Sequence, residues 1–414
     1  MLKRIRVEDV RLGMYIQGFT GAWLDHPFWR TKFVLDDPQD LERIHASAVR
    51  ELWIDVSKGQ DIEATVVVQA EAVNEAHVEA LNVLEQAVQR DTAPTTQQAE
   101  MRRAAALIRS ARGAMVGMFN EVRMGKAIDS TVARAVAEEI SDSVFRHGGA
   151  LISLARIKSA DDYTYMHSVA VCALMVALAK QLGMSEEEAR AAGFAGLLHD
   201  IGKLDIPIEI LNKPGKLSEA EYTVVRNHPR KGWERLKKAG IEHAAALDVC
   251  LHHHERFVGK GYPDGLEGEG ISVMARMGAI CDVYDAITSN RPYKEGWDPA
   301  ASLKQMASWK GDFDPRLFQA FVRSLGIYPV GSLVQLSNGR LAVVVEQSQG
   351  NLLLPIVKTV YSTRQGERVK PERVDLSVPG CAVNILQRED PAQWKIPDLD
   401  EIWSEVPGLG RAKA

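Results

Sequence analysis

The sequence predicts a mainly α-helical protein flanked by small β-rich segments at its two ends. Three observations carry this prediction. Helix signals dominate from about residue 141 to 326. Residues 1 to about 65 instead mix short β-like runs with glycine-marked turns. Beyond about residue 330 an Asn-Gly turn stands between two apolar runs.

The chain has 414 residues, 46% of them hydrophobic, enough for two or three domains with full cores. Its net charge of -5 provides no global basic field and argues against long nucleic acid as a partner. A small anionic ligand needs only a local basic pocket and stays open. The four cysteines, Cys172, Cys250, Cys281 and Cys381, form no CxxC pair and read as free thiols in a reducing cytoplasm. The start lacks an apolar signal core, and no run approaches the roughly 18 apolar residues of a membrane span. A cytoplasmic location is therefore expected.

In chain order, residues 1–65 form an N-terminal β-rich domain. Met14-Tyr15-Ile16 and Leu52-Trp53-Ile54-Asp55-Val56 read as strands, with a short helix near 40–49. Residues 66–140 turn to Ala, Glu, Gln and Val at helical spacing and read as a connector, interrupted by a loop at 91–96. Residues 141–328 form the largest unit. Ser185 followed by three glutamates, and Ser218 with Glu221, are capping-box starts. Asp298-Pro299 is a cap followed by proline at the first helical position. Residues 329–390 form a small β appendage around Asn338-Gly339, and 391–414 read as a loosely attached tail.

Chemistry concentrates in the helical unit. His199-Asp200 closes the apolar run 194–198 and leads into Ile201-Gly202-Lys203. Further candidates are His167, His228, His253, His254 and Asp282. Imidazoles with carboxylates suit iron, manganese, nickel or zinc. One carboxylate can bridge two ions, so Asp200 is the candidate bridge. Taken singly, His167 reads more readily as a core histidine and His228 as a turn cap. Three contiguous imidazoles at 252–254 are costly to bury unpaired. A helix turns about 100° per residue, so adjacent histidines share a site only from a helix end. Glu255 reads as an acceptor for a ligand imidazole.

The HDIGK segment at 199–203, the HHE triplet at 253–255, Gly261-Tyr262-Pro263, Asp282-Val283-Tyr284-Asp285-Ala286 and Arg291-Pro292-Tyr293-Lys294 follow one another in this order. Over residues 141–330 the chain thereby resembles an HD-GYP domain, an all-helical HD-type metal-dependent phosphohydrolase. Gly13-Met14-Tyr15 and the segment 23–28 resemble an N-terminal domain of unknown function attached to such modules. The resemblance implies His167, His199, Asp200, His228, His253, His254 and Asp282 as metal ligands. It implies Asp200 and Lys203 as catalytic, Lys203 near the scissile phosphate. Tyr262, Arg291 and Lys294 match substrate-binding positions, and Asp285, one helical turn after Asp282, fits a supporting role. Lys203 also lies four residues after His199, which on a helix gives both one face.

The implied activity is hydrolysis of cyclic di-GMP to linear pGpG, with GMP from a second cut. The implied cofactors are two divalent ions, iron or manganese ahead of nickel or zinc, clamping the attacking and leaving oxygens. Lys203 would offset developing charge while Arg291 and Lys294 hold phosphate oxygens. Two positions depart from the family pattern. Val258 stands where an acid precedes the GYP element, and Tyr163 stands where three-metal members carry glutamate. Other readings stay open: a cyclic di-GMP-binding scaffold docking signalling proteins through the GYP region, or an HD phosphohydrolase of other nucleotides. A homodimer is also open.

Overall fold

The computed structural model describes residues 2–19, 32–45, 51–60, 95–123, 128–156, 163–211, 213, 215–289, 296–348, 351–394 and 396–406. They fall into two compact units, Met1–Val78 and Glu79–Ala414.

The first unit is a four-stranded antiparallel sheet with one helix. Strands β1 (Leu2–Arg6), β2 (Tyr15–Phe19), β3 (Phe33–Val34) and β4 (Glu51–Asp55) run in the order β1-β4-β2-β3, with α1 (Pro38–His45) beside them. Period-two alternation sets the inner face. Leu52 and Ile54 are buried while Trp53 between them is half-buried, and Ile5, Ile16 and Leu35 share their core. The loop expected at 91–96 is described only at its last two residues, and segment 23–28 lies outside the described residues.

The second unit is helical, with a sheet at its C-terminal end. Helices α2 (Gln97–Arg123), α3 (Ser130–Arg146), α4 (Gly148–Ala155), α5 (Tyr163–Gln181) and α6 (Glu186–Leu198) come first. Met101, Ala104, Ala111, Met115, Met118 and Val122 place an apolar stripe of α2 in the same core as α5 and α6. Glu100, also on α2, is fully buried and paired with Arg146 of α3 at 2.8 Å. From residue 97 onward, then, the segment read as a connector is part of the main core. Helix α5 is apolar on all sides, and Val169 to Ala179 are all buried. The capping boxes at Ser185–Glu188 and Ser218–Glu221 both form. Asp298 accepts from the Ala301 N–H ahead of Pro299.

A 3-10 turn (Ile201–Asp205) follows α6, then α7 (Ile208–Leu211), α8 (Glu219–Arg226), α9 (His228–Lys238), α10 (Ala244–His252), α11 (Val273–Thr288), α12 (Pro299–Ser308) and α13 (Pro315–Leu325). The antiparallel sheet after them holds β5 (Leu333–Leu336), β6 (Arg340–Glu346), β7 (Ile356–Ser362), β8 (Glu367–Arg368), β9 (Arg373–Asp375) and β10 (Ile385–Arg388). Asn338-Gly339 turns β5 into β6, pairing Leu333 with Val343. The tail is not loose as far as residue 406. Helices α14 (Pro391–Trp394) and α15 (Leu399–Ser404) pack down, and Trp403 is 2% exposed in the main core. These helices are too short to show a period in sequence, and one large aromatic anchors them.

Three of the cysteines are buried free thiols and Cys381 is half-buried. Among the described residues no helix is long and apolar enough to cross a membrane.

One close backbone approach positions the site. A Cβ on Gly202 would lie 1.9 Å from the His228 carbonyl and 2.5 Å from the Gly232 nitrogen. Only glycine lets the 3-10 turn after α6 meet α9 at this distance. We expect Gly202→Ala to cost about 1–3 kcal/mol or more through overpacking, and to lower bound metal by displacing His228. Thermal melting and elemental analysis check this. A variant equal to wild type in both would remove the close-approach account.

Candidate metal centre

The ligand candidates reach one place because of where helices end. His199 is the C-cap of α6, His253 is the C-cap of α10, and His228 follows the last residue of α8 by two positions. Helix C-termini leave carbonyls without intrahelical donors. Here imidazoles donate to carbonyls of the last turn, alone or beside a backbone N–H. His199 Nδ1 donates to the Gly196 carbonyl at 2.7 Å, His228 Nδ1 to Val225 at 2.7 Å and His253 Nδ1 to Val249 at 2.9 Å. A carbonyl only accepts, so Nδ1 carries the proton and Nε2 faces inward. His167 of α5 follows the same logic with Asp285 Oδ2 as acceptor at 2.6 Å.

The inward nitrogens surround Asp200. His167 and His199 Nε2 lie 3.3 Å from Asp200 Oδ2, and His228 Nε2 lies 3.1 Å from Oδ1, with His253 Nε2 at 3.6 Å. Asp282 Oδ1 is 3.0 Å from His167 Nε2, and Asp282 Oδ2 is 3.8 Å from His254 Nδ1. Two ligand groups result, each with its atoms within 4.8 Å: Asp200, His228, His253 and His254, and His167, His199, Asp200 and Asp282. Asp200 belongs to both, one oxygen toward each.

Electrostatics suit cations at this centre. Burial pushes the Asp200 carboxyl upward, but His199 and Lys203 hold it well below the usual carboxylate range. Burial likewise opposes ionisation of Asp282, and His167 and His199 outweigh it. Burial pulls the His253 imidazole down to about 4, which keeps it neutral at pH 7. Burial also opposes charge on His199, yet the Asp200 and Asp282 carboxylates push it up to about 10. Ligand protons and metal cations compete for the same lone pairs. His199 Nε2 and Asp200 Oδ1 are buried without a hydrogen-bond partner. A buried polar atom left so is costly, and a metal bond at each satisfies it. The donor set therefore fits divalent ions.

The remaining predicted residues sort differently. Lys203 Nζ lies 2.5 Å from Asp200 Oδ2. It gets there through the 3-10 turn, not an α-helix, so the shared face with His199 does not apply and an i, i+3 relation to Asp200 replaces it. Glu255 does not receive a ligand imidazole. Its Oε1 accepts the N–H groups of Asp264 and Gly265 at 2.8 and 3.1 Å, and so ties down the loop after Tyr262. Tyr262 stacks on His254, with centroids 4.7 Å apart. Val258 donates its N–H to the Gly311 carbonyl, and its side chain occupies the space a Cβ on Gly311 would need. Arg291 and Lys294 lie outside the described residues, as does the Tyr163 side chain. Sequence reasoning missed the carbonyls of Gly196, Val225 and Val249. A signal existed: each precedes its histidine by three or four residues at a helix end.

A family model described as an HD domain matches residues 141–317, and one described as a domain of unknown function matches 2–133. The latter runs well past the boundary near 65 expected from composition. The chain is 51% identical to a cyclic di-GMP phosphodiesterase of Pseudomonas aeruginosa, over 98% of this chain and 96% of that one. It is 48% identical to a cyclic di-GMP phosphodiesterase response regulator of Xanthomonas campestris, over 35% of this chain and 39% of that one. It is 36% identical to a 3'3'-cGAMP-specific phosphodiesterase of Vibrio cholerae, over 41% and 39%.

Removing the shared carboxylate should empty both ligand groups. We expect Asp200→Ala to lose bound metal while keeping its far-UV circular dichroism. Asp285→Ala, which removes the acceptor of the His167 ring without removing a candidate ligand, should weaken metal binding by roughly 10–100-fold. Elemental analysis and chelator competition measure both. Full metal content in Asp200→Ala would exclude it as the bridge.

Proposed function

The chain belongs to the HD-GYP family of cyclic di-GMP phosphodiesterases, and on that premise we propose that it hydrolyses cyclic di-GMP to linear pGpG with two divalent ions. The observation that carries this reading is Asp200, common to two complete ligand groups. One group offers three imidazoles and a carboxylate, the other two imidazoles and two carboxylates, and such N/O sets suit iron or manganese, with nickel and zinc next. When bound, paired ions supply a clamp on the attacking and leaving oxygens of a phosphodiester and an acidified water.

The chain's own residues do the rest. His167, His199, His228 and His253 keep their rings aimed by donating Nδ1–H to fixed acceptors. Lys203, with its side chain 21% exposed beside Asp200, presents an ammonium at the rim of the centre. There it offsets charge that develops on the phosphate oxygens. Arg291 and Lys294 hold those oxygens, a role carried by the family motif. The full ligand set weighs against binding without turnover, and Val258 is absorbed by the space at Gly311. The cytoplasm is the expected location, in keeping with four free thiols.

Tyr163 supports two ions over three. It is the first residue of α5, four before His167, where a carboxylate would share that ligand's face. A tyrosine, with a reference pKa of about 10, is a poor replacement. Asp162, the nearest acid, lies outside the described residues.

Two outcomes test this reading. Protein purified without chelators should carry two metals per chain and accumulate pGpG over GMP in product chromatography. Three metals per chain, reduced to two by Asp162→Ala, would show that Asp162 completes a third site. Lys203→Ala should lower kcat more than it raises KM, and Arg291→Ala should chiefly raise KM. A Lys203→Ala variant altered in KM alone would remove its transition-state role.

A further inference from the structure

A cyclic dinucleotide brings two phosphodiesters and two bases, and the metal centre takes one phosphodiester. Whatever holds the rest must adjoin the centre. A groove of about 510 Å³ does so, sharing His228 and Tyr262 with it. Its volume falls within the roughly 300–1,000 Å³ of small-ligand sites.

The groove has apolar as well as charged walls, and one of its cations has no ion-pair partner among the described residues. Its lining includes Arg226, Asn227, Lys231 and Asp205. The neighbouring cations are occupied: Arg230 by Asp264 at 2.5 Å, Lys231 by Glu234 at 3.0 Å and Arg235 by Asp205 at 2.7 Å. Arg226 has no ion-pair partner among the described residues. Its guanidinium lies 4.8 Å from the centroid of Tyr262, the ring that stacks on His254. The Tyr262 wall is preformed. Asp264, two residues on, is gripped by Arg230 and by His252 at 3.1 Å, and its N–H is held by Glu255.

We propose that this groove takes a guanine base of the substrate, with Arg226 reading its O6/N7 edge and Asp205 its N1/N2 edge. The proposal rests on cyclic di-GMP being the substrate. A guanidinium fork matches the paired acceptors O6 and N7, whereas adenine offers the N6 amine there and sets donor against donor. Both Asp205 oxygens accept from Arg235 and still have lone pairs for the guanine N–H groups. A second phosphate would meet that carboxylate, which favours a base over a phosphate as occupant. Arg226 is thus a specificity-determining residue, separate from the metal ligands.

The test measures kcat and KM for cyclic di-GMP and cyclic di-AMP, with metal content, in wild type, Arg226→Ala and Arg226→Lys. The lysine variant keeps a cation over Tyr262 but loses the fork. Arg226→Ala should raise KM for cyclic di-GMP roughly 10- to 100-fold and Arg226→Lys, whose ammonium can still donate to O6 and N7, by less; both should leave metal content intact and cyclic di-AMP unaffected. An equal loss on both nucleotides would mean a phosphate contact and overturn the proposal. So would a fall in metal content, an Arg226→Ala variant that keeps the guanine preference, or no change. If metal-loaded wild type turned over neither nucleotide, the substrate reading itself would fail. Equilibrium binding of the two nucleotides to wild type and Arg226→Ala would then decide the groove by the same criteria.

Discussion

Asp200 is fully buried, and its carboxylate is surrounded by the nitrogens of His167, His199, His228, His253 and Lys203. A carboxylate removed from water is tolerated only where opposite charge and hydrogen-bond donors replace its hydration. Lys203 supplies one such charge, and the surrounding helices, by ending around the carboxylate, bring the imidazoles that would hold cations beside it. Each ending brings one imidazole whose Nδ1 satisfies a terminal carbonyl and whose Nε2 faces the carboxylate. One device thus caps a helix, fixes a tautomer and aims a ligand.

The packing beyond the centre serves this convergence. Helix α5 is buried from Met166 to Ala179, so His167 is held by the core itself. The turn bearing Asp200 meets α9 through Gly202 and Gly232, with no room for a Cβ between them. Asp282 and Asp285 lie one turn apart on α11, so one helix face offers a ligand and the acceptor for a ligand's ring. Ligand geometry in this protein is a consequence of backbone approach, and small residues matter as much as charged ones.

A second layer of contacts shapes the approach to the candidate metal centre. Glu255, next in sequence to two ligands, spends its carboxylate on backbone N–H groups beyond Tyr262. That loop is pinned again through Asp264, so the Tyr262 ring is held against His254 and beside Arg226. The triplet at 253–255 therefore joins the metal centre to the groove wall. Hydrolysis and nucleotide choice share a short stretch of chain but depend on different atoms of it.

Local patterns were legible in the sequence wherever a short segment decides its own conformation. The capping boxes at Ser185 and Ser218 and the Asn338-Gly339 hairpin form as read, because each depends on neighbours within a few residues. The family motifs named the ligand types for a related reason, since metal chemistry restricts them to imidazole and carboxylate. Contacts between distant segments were not legible. The stripe on α2 joins the main core rather than forming a connector, and Trp403 anchors a tail that reads as loose. Glu255 turned from a metal-site acceptor to a loop brace, and Lys203 reached Asp200 through a 3-10 turn. In each case the side chain and its spacing were plain, but its partner lay elsewhere in the chain. Composition and short-range spacing determine which groups are available, while tertiary packing alone decides which of them meet, because a hydrogen bond or ion pair depends on distances that only the folded backbone sets.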